Sequence, residues 1–277
     1  MNIARVFPRR TNATPDDPLA FVGMPDLLAP EWLDEVHISV AFTYDMPLID
    51  KLAEAWGMRT GRLSIGGPGT GMRGEQFTPG VYLKKGYVIT SRGCPHSCWY
   101  CSVHDREGDV RELPITEGWN VLDDNLLACS EKHITNVFKM LMEAKKVFHQ
   151  PIQFTGGFEA GRFHAWMVEW LLRIKPKQIF FAYDYESYKN LEILEEVNRK
   201  LISAGISKNS LRCYVLIGCK YDTFEEAEKR LLEVVEAGYI PMAMLYRDEN
   251  GNYKKDWTKF QKEWARPAIM RTKGVLA

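Results

Sequence analysis

The chain has 277 residues, 45% of them hydrophobic and 26% charged, the proportions of a folded protein long enough to bury a core without disulfide staples. Basic and acidic residues balance at 36 each, which removes the broad attraction to phosphate expected of a protein that tracks nucleic acid. No stretch approaches the roughly 18 apolar residues of a membrane span, and residues 1–10 lack the apolar block of a secretory leader, so a cytoplasmic protein is expected.

Taken in chain order, residues 1–35 are rich in Pro, Asp and Arg and show little periodicity, as in an irregular lead-in. A strand is predicted at 37–44, a helix at 47–56 and a second strand at 62–65 that ends in Gly66-Gly67-Pro68-Gly69. This small β-α-β unit closes in a glycine-rich segment reaching about residue 80. Strands and helices then alternate. Strands are predicted at 87–90, 119–122, 152–155, 178–183, 211–217 and 240–245, with helices at 134–147, 163–174, 191–204, 223–237 and 257–265. The strands are short and continuously apolar, as in a parallel sheet covered on both faces. Leu191, Leu194, Val197, Leu201 and Ile202 keep helical spacing.

Six βα repeats are too few for a closed eight-stranded barrel. The expected fold is therefore α/β, a partial (β/α)6 TIM-like barrel over residues 81–277 with a C-terminal helical tail. Residues 1–80 form a small N-terminal β-α-β extension. In such sheets the chemistry lies beyond the carboxyl ends of the strands. The tail carries Lys254, Lys255, Lys259, Lys262, Arg266, Arg271 and Lys273 against Asp256 and Glu263. It reads as a solvated basic face rather than a polyanion site.

The first predicted barrel strand runs into Arg92-Gly93-Cys94-Pro95-His96-Ser97-Cys98-Trp99-Tyr100-Cys101. In a chain expected in a reducing compartment, closely spaced cysteines point to metal rather than disulfides. The C-x3-C-x2-C spacing puts three thiolates on one loop. A 4Fe–4S site is usually completed by four cysteines, so three leave one iron open, and an open position separates a reactive metal centre from a structural one. An amine and a carboxylate on one molecule can chelate that iron, and the methionine end of S-adenosylmethionine (SAM) offers both. The competing reading is a zinc site in which His104 joins the three cysteines, a non-catalytic module that binds a partner. His96 and His104 are otherwise polar loop residues able to hydrogen-bond a cluster sulfur.

The motif, with aromatic Tyr100 before its last cysteine, resembles that of the radical SAM superfamily. The preceding strand and the βα order over about residues 81–250 are similar too. The resemblance implies a 4Fe–4S cluster on Cys94, Cys98 and Cys101, an adenine contact through the backbone of Tyr100, and reductive cleavage of SAM to a 5′-deoxyadenosyl radical. It also implies an external one-electron donor such as flavodoxin or ferredoxin. After the second strand, Asp123-Asp124-Asn125 stands where many members have Gly-Gly-Glu, and this resembles the branch with a cobalamin-type N-terminal domain. Asp124 and Asn125 are then expected to accept from the SAM amine, although adjacent acids at a strand end can equally cap a helix.

Gly156 and Gly157 permit close backbone approach to a ligand. Glu159 is a ribose or substrate contact or a helix N-terminal charge, and Asp184 would face the mouth. The strand ending at Gly218 resembles the family's adenine-contacting strand, though Gly218 can also be a turn glycine. Cys129 and Cys213 are expected as small buried hydrophobes. Cys219, at a strand end, is the one candidate for an additional catalytic cysteine. The segment 37–68 resembles the last part of a cobalamin-binding domain, shortened to two strands. It lacks the Asp-x-His-x-x-Gly signature, since Asp34-Glu35-Val36-His37 does not fit it, so a degenerate scaffold or lid is favoured over bound cobalamin. The aromatics Trp99, Trp119, Tyr183, Tyr185 and Tyr246 are candidates for the mouth, and neutral charge leans toward a small molecule or peptide as substrate.

Overall fold

The computed structural model describes residues 3–183, 191–248 and 250–276. The first sheet is larger than the sequence suggests. Its strands are β1 (Ile3–Phe7), β2 (Ala20–Val22), β3 (Glu35–Ser39) and β4 (Leu63–Gly66), all parallel, in the order β2-β1-β3-β4. Residues 1–35 are therefore not an irregular lead-in, and the unit is not a two-stranded remnant. Ala4 and Val6 of β1 are fully buried, but the strand is only 5 residues long and Arg5 interrupts its apolar run, which hid it. Helix α1 (Ile49–Gly57) covers the sheet with Ile49, Leu52 and Trp56. These side chains, with Val36, Ile38 and Val40, make a core separate from the one that follows. The strand predicted at 37–44 starts and ends early, because residues 43–48 turn into a 3-10 helix around Pro47.

The second sheet is built from β5 (Tyr87–Val88), β8 (Asn120–Val121), β9 (Gln153–Phe158), β10 (Gln178–Ala182), β11 (Leu211–Ile217) and β12 (Ile240–Leu245). These six strands pair in chain order and every pairing is parallel. The α/β class and the parallel sheet agree with the sequence reading. Helices α3 (Glu131–Phe148), α4 (Trp166–Ile174), α5 (Leu191–Ser203) and α6 (Phe224–Glu236) separate the strands. Two of them start on side-chain caps, with Ser130 accepting from His133 N–H and Thr223 from Glu226 N–H.

Between β5 and β8 the chain adds a short antiparallel hairpin, β6 (Ser91–Arg92) with β7 (Arg111–Glu112), and a helical turn, α2 (Val103–Glu107). Neither is legible from periodicity at such lengths. At the C-terminus α7 (Trp257–Trp264) is followed by α8 (Pro267–Thr272). Trp257, Trp264 and Met270 are buried in the second core, so the basic tail is docked along one face rather than free. Among the described residues no helix is long and apolar enough to cross a membrane.

Candidate metal centre

Beyond the carboxyl ends of β5, β8 and β9, three loops meet. The cysteine loop leaves β6 through Gly93, whose φ of +89° and tight fit against the Asp109 carbonyl exclude a side chain. It is closed by Cys94 N–H donating to Gly108 O at 3.1 Å and Cys101 N–H donating to Cys98 O at 2.9 Å. Cys94, Cys98 and Cys101 are each half-buried and none is in a disulfide. Burial pushes the Cys101 thiol up, and the Cys98 and Cys94 thiols add to it, so the three sulfurs share one electrostatic neighbourhood. Among the described residues no three His, Cys, Asp or Glu side chains close on a single ion. His104 Nδ1 lies 2.8 Å from the Cys94 carbonyl oxygen, which ties the ring to the loop backbone.

The Asp-Asp-Asn segment after β8 divides its work among three side chains. Asp123, only 1% exposed, accepts from Thr90 N–H (2.6 Å), Thr90 Oγ1 (2.6 Å) and Ser91 Oγ (2.8 Å). It ties the second strand end to the root of the cysteine loop. Burial pushes its carboxyl above the usual range against the pull of those donors. Asp124 accepts from Gly93 N–H at 2.9 Å, and burial raises its carboxyl too, opposed by that bond and by the charge of Arg92. Asn125 Nδ2 lies 3.5 Å from Cys94 Sγ and 2.8 Å from Glu159 Oε2.

Glu159 gathers the rest of the rim. It pairs with His96 Nε2 at 3.0 Å and Arg162 Nε at 2.8 Å. Burial alone would raise its carboxyl; the hydrogen bonds from Asn125 and His96 outweigh this and hold it below the usual carboxylate range. Gly156 lies against the Asp123 backbone, where a methyl group would fall on the Asp123 carbonyl. Gly157 adopts φ +96° with only the Tyr214 ring near its open side. The strand predicted to end at residue 155 in fact continues through both glycines to Phe158.

Asp124, Asn125, Gly156, Gly157 and Glu159 thus stand with the cysteine loop. Tyr100 is half-buried, edge-on to the exposed Trp99, which also packs against Tyr246. Other candidates do not join this group. Gly218 turns the chain at φ +75° with Leu245 and Trp257 filling the place of a side chain, and its N–H donates to Asp222. Cys219, one residue beyond that turn, is 3% exposed. Trp119 packs on Phe148 and Tyr183 is buried with its hydroxyl donating to Glu233, so both belong to the packing. Asp184 and Tyr185 lie outside the described residues. Cys129 is half-buried, not fully so, and burial pushes its thiol up to about 12.

Asp123, Thr90, Ser91 and Arg162 were missed by sequence reasoning. The doubled acid after β8 was the one available signal, and it did not say which acid faces inward. Compared with known protein-family models and with curated proteins, the chain matches none.

Proposed function

We propose that the chain is a radical SAM enzyme: Cys94, Cys98 and Cys101 hold a 4Fe–4S cluster, and Asp124, Asn125 and Glu159 position SAM beside it. The observation that carries this reading is the bond network joining the three-cysteine loop to the ends of two neighbouring parallel strands through Asn125 and Glu159. The donor set suits the group. Thiolates on one short loop, with no fourth cysteine on it, leave one iron for an outside ligand. That the loop does not close on a single ion is no conflict, since in a cluster each thiolate binds a different iron. On this reading the six-stranded sheet is an open (β/α)6 barrel whose mouth is the carboxyl edge.

When bound and reduced by a flavodoxin- or ferredoxin-like donor, the cluster would supply the electron that splits SAM into methionine and a 5′-deoxyadenosyl radical. The protein's own contribution is positional. Asp123 and Asp124 fix the root of the loop, so the sulfurs are presented from a rigid sheet edge. The Asn125 amide reaches Cys94 Sγ, where a donor stabilises a thiolate. Glu159, held ionised, is an acceptor for an ammonium group. Trp99, Tyr100 and Tyr246 narrow the approach and restrict water at the reacting centre.

The reading is tested by anaerobic reconstitution followed by electron paramagnetic resonance of the reduced protein. The expected result is a 4Fe–4S signal that changes on adding SAM, because SAM occupies the open iron. A colourless protein that takes one zinc, or a cluster signal indifferent to SAM, refutes it.

A further inference from the structure

The largest cavity among the described residues lies between the two sheets and has a volume of about 660 Å³, within the roughly 300–1,000 Å³ of small-molecule sites. One of its walls is a face of the first sheet. A parallel sheet ordinarily carries apolar side chains on both faces, and the face packed with α1 does so through Val36, Ile38 and Val40. Side chains alternate along a strand, so the opposite face of β3 carries Glu35, His37 and Ser39. The register sets Arg5 of β1 and Ser64 of β4 on either side of His37. His37, Ser39 and Ser64 line the cavity. Such a face adds little to an apolar core, and convergent polar groups on a cavity wall mark a binding site.

Three side chains on this wall form a hydrogen-bonded chain. Glu35 and His37 stand two residues apart on one strand, and Glu35 Oε1 lies 2.9 Å from His37 Nε2. The other ring nitrogen, Nδ1, lies 2.5 Å from the hydroxyl of Tyr82, which also lines the cavity and is 41% exposed. A carboxylate only accepts, so Nε2 carries a proton in either charge state and Nδ1 is the nitrogen that gains or loses one. With a neutral ring, Tyr82 donates to Nδ1 and turns an oxygen lone pair to the cavity. With an imidazolium, Nδ1 donates to Tyr82 and the Tyr82 O–H is freed toward the cavity. Burial, with Glu35 adding and Arg5 opposing, pushes the Tyr82 hydroxyl above its usual range, which keeps it protonated at rest. Its segment is held in place: Arg5 donates to the Val81 carbonyl at 3.1 Å, and Lys84 N–H donates to the Ala13 carbonyl at 2.7 Å. Besides Glu35 and Tyr82, the charged neighbour of His37 across the sheet is Arg5, which Asp17 neutralises.

The rest of the lining is balanced in charge, with Arg9, Arg73 and Arg92 against Asp45, Glu75 and Glu107. A ligand there needs no net charge, but it must meet the Tyr82 oxygen with a donor. We propose that the cavity binds an uncharged small molecule bearing an acidic hydroxyl, a phenol or an enol, and that Tyr82 and His37 move its proton. In the forward step the ligand O–H breaks and its proton joins the Tyr82 oxygen, while the Tyr82 proton passes to His37 Nδ1. The products are a phenolate or enolate and an imidazolium whose charge Glu35 offsets; the reverse step returns the proton. Imidazole takes a proton from such hydroxyls far more readily than from an alcohol, which sets the ligand class. Tyr82 touches the ligand, and His37 acts through it. None of this rests on the radical SAM reading, because Glu35 and His37 lie on the sheet that does not carry the cysteine loop.

The test uses 4-nitrophenol, whose ionised form is yellow, with the full-length protein free of iron so that no cluster absorbs in the same region. The buffer is acidic enough to keep the free phenol mostly protonated. The expected result is one phenol bound per chain, with a ratio of phenolate to phenol about tenfold that of the free compound. His37→Gln keeps a hydrogen-bonding side chain but cannot take the proton, and Tyr82→Phe keeps the ring but breaks the chain. Each should still bind the phenol by calorimetry and return the ratio to that of free solution. A hydrogen bond that only fastened residues 78–84 to the sheet would not move this colour. The proposal is overturned if the phenol does not bind, if it binds without ionising, or if it ionises as fully in both variants, which would assign the effect to the lining arginines. It is overturned as well if both variants cease to bind, since the pair would then only hold the wall together. Because no cluster chemistry is read, failure here leaves the radical reading standing, and failure of the radical reading leaves this result intact.

Discussion

Replacing Asp123 by Ala probes how the cysteine loop is held. The carboxylate accepts three hydrogen bonds from Thr90 and Ser91, both of which are 0% exposed. Removing it strands the Thr90 amide, at a cost of about 2 kcal/mol for a buried unpaired donor. The hydroxyls can turn elsewhere, Thr90 toward His133 Nε2 at 3.3 Å and Ser91 toward Cys129, so together they add about 1 kcal/mol. The expected loss is about 3 kcal/mol, which at about 2 °C per kcal/mol for a chain of this size lowers the melting temperature by about 6 °C. Thermal unfolding followed by circular dichroism, without metal, measures it. Asp123→Asn keeps one acceptor and should lose about half as much. A variant that melts within about 1 °C of the parent would refute the idea that the sheet, rather than the metal, positions the loop.

Further outcomes follow from neighbouring contacts. Gly156→Ala places a methyl on the Asp123 carbonyl, and forcing that backbone apart should cost about 1–3 kcal/mol in a denaturant titration and reduce the iron retained after reconstitution. Asn125→Ala removes the donor to Cys94 Sγ, and loss of such a supporting contact should lower SAM-dependent turnover about 10–100-fold with little change in melting temperature. Glu107 gives a pH signature. Burial would raise its carboxyl, but Arg106 and Arg111 outweigh that and hold it below the ordinary value. Its contribution is then fully present above the unfolded value near 4.3 and lost as pH falls through the lowered folded value. Glu107→Gln should therefore be less stable than the parent at neutral pH, by about 3 kcal/mol for a broken buried pair, and the gap should close on acidification. A gap that widens toward acid would reverse the sign and sink the argument.

What the sequence revealed depended on the length of its signals. Strands such as 211–217 and 240–245 carry long, predominantly apolar runs, and their predicted bounds are those found. β1 and β2 were missed because few residues carry each of them, and the links that join them have no helical period to announce a βαβ unit. At the site, the cysteine spacing stood out because it is local. The roles of Asp123, Asp124 and Asn125 did not, since a strand end sends successive side chains in different directions and only the tertiary fold decides what each one meets.

The central claim is that three cysteines on a sheet edge serve SAM cleavage. Its most direct test is to incubate the anaerobically reconstituted protein with SAM and dithionite and quantify 5′-deoxyadenosine by mass spectrometry, alongside Cys98→Ala. The account predicts 5′-deoxyadenosine from the parent protein and none above background from the variant, with both proteins folded. A parent protein that carries the cluster yet forms no 5′-deoxyadenosine, or a variant that forms as much as the parent, would contradict it.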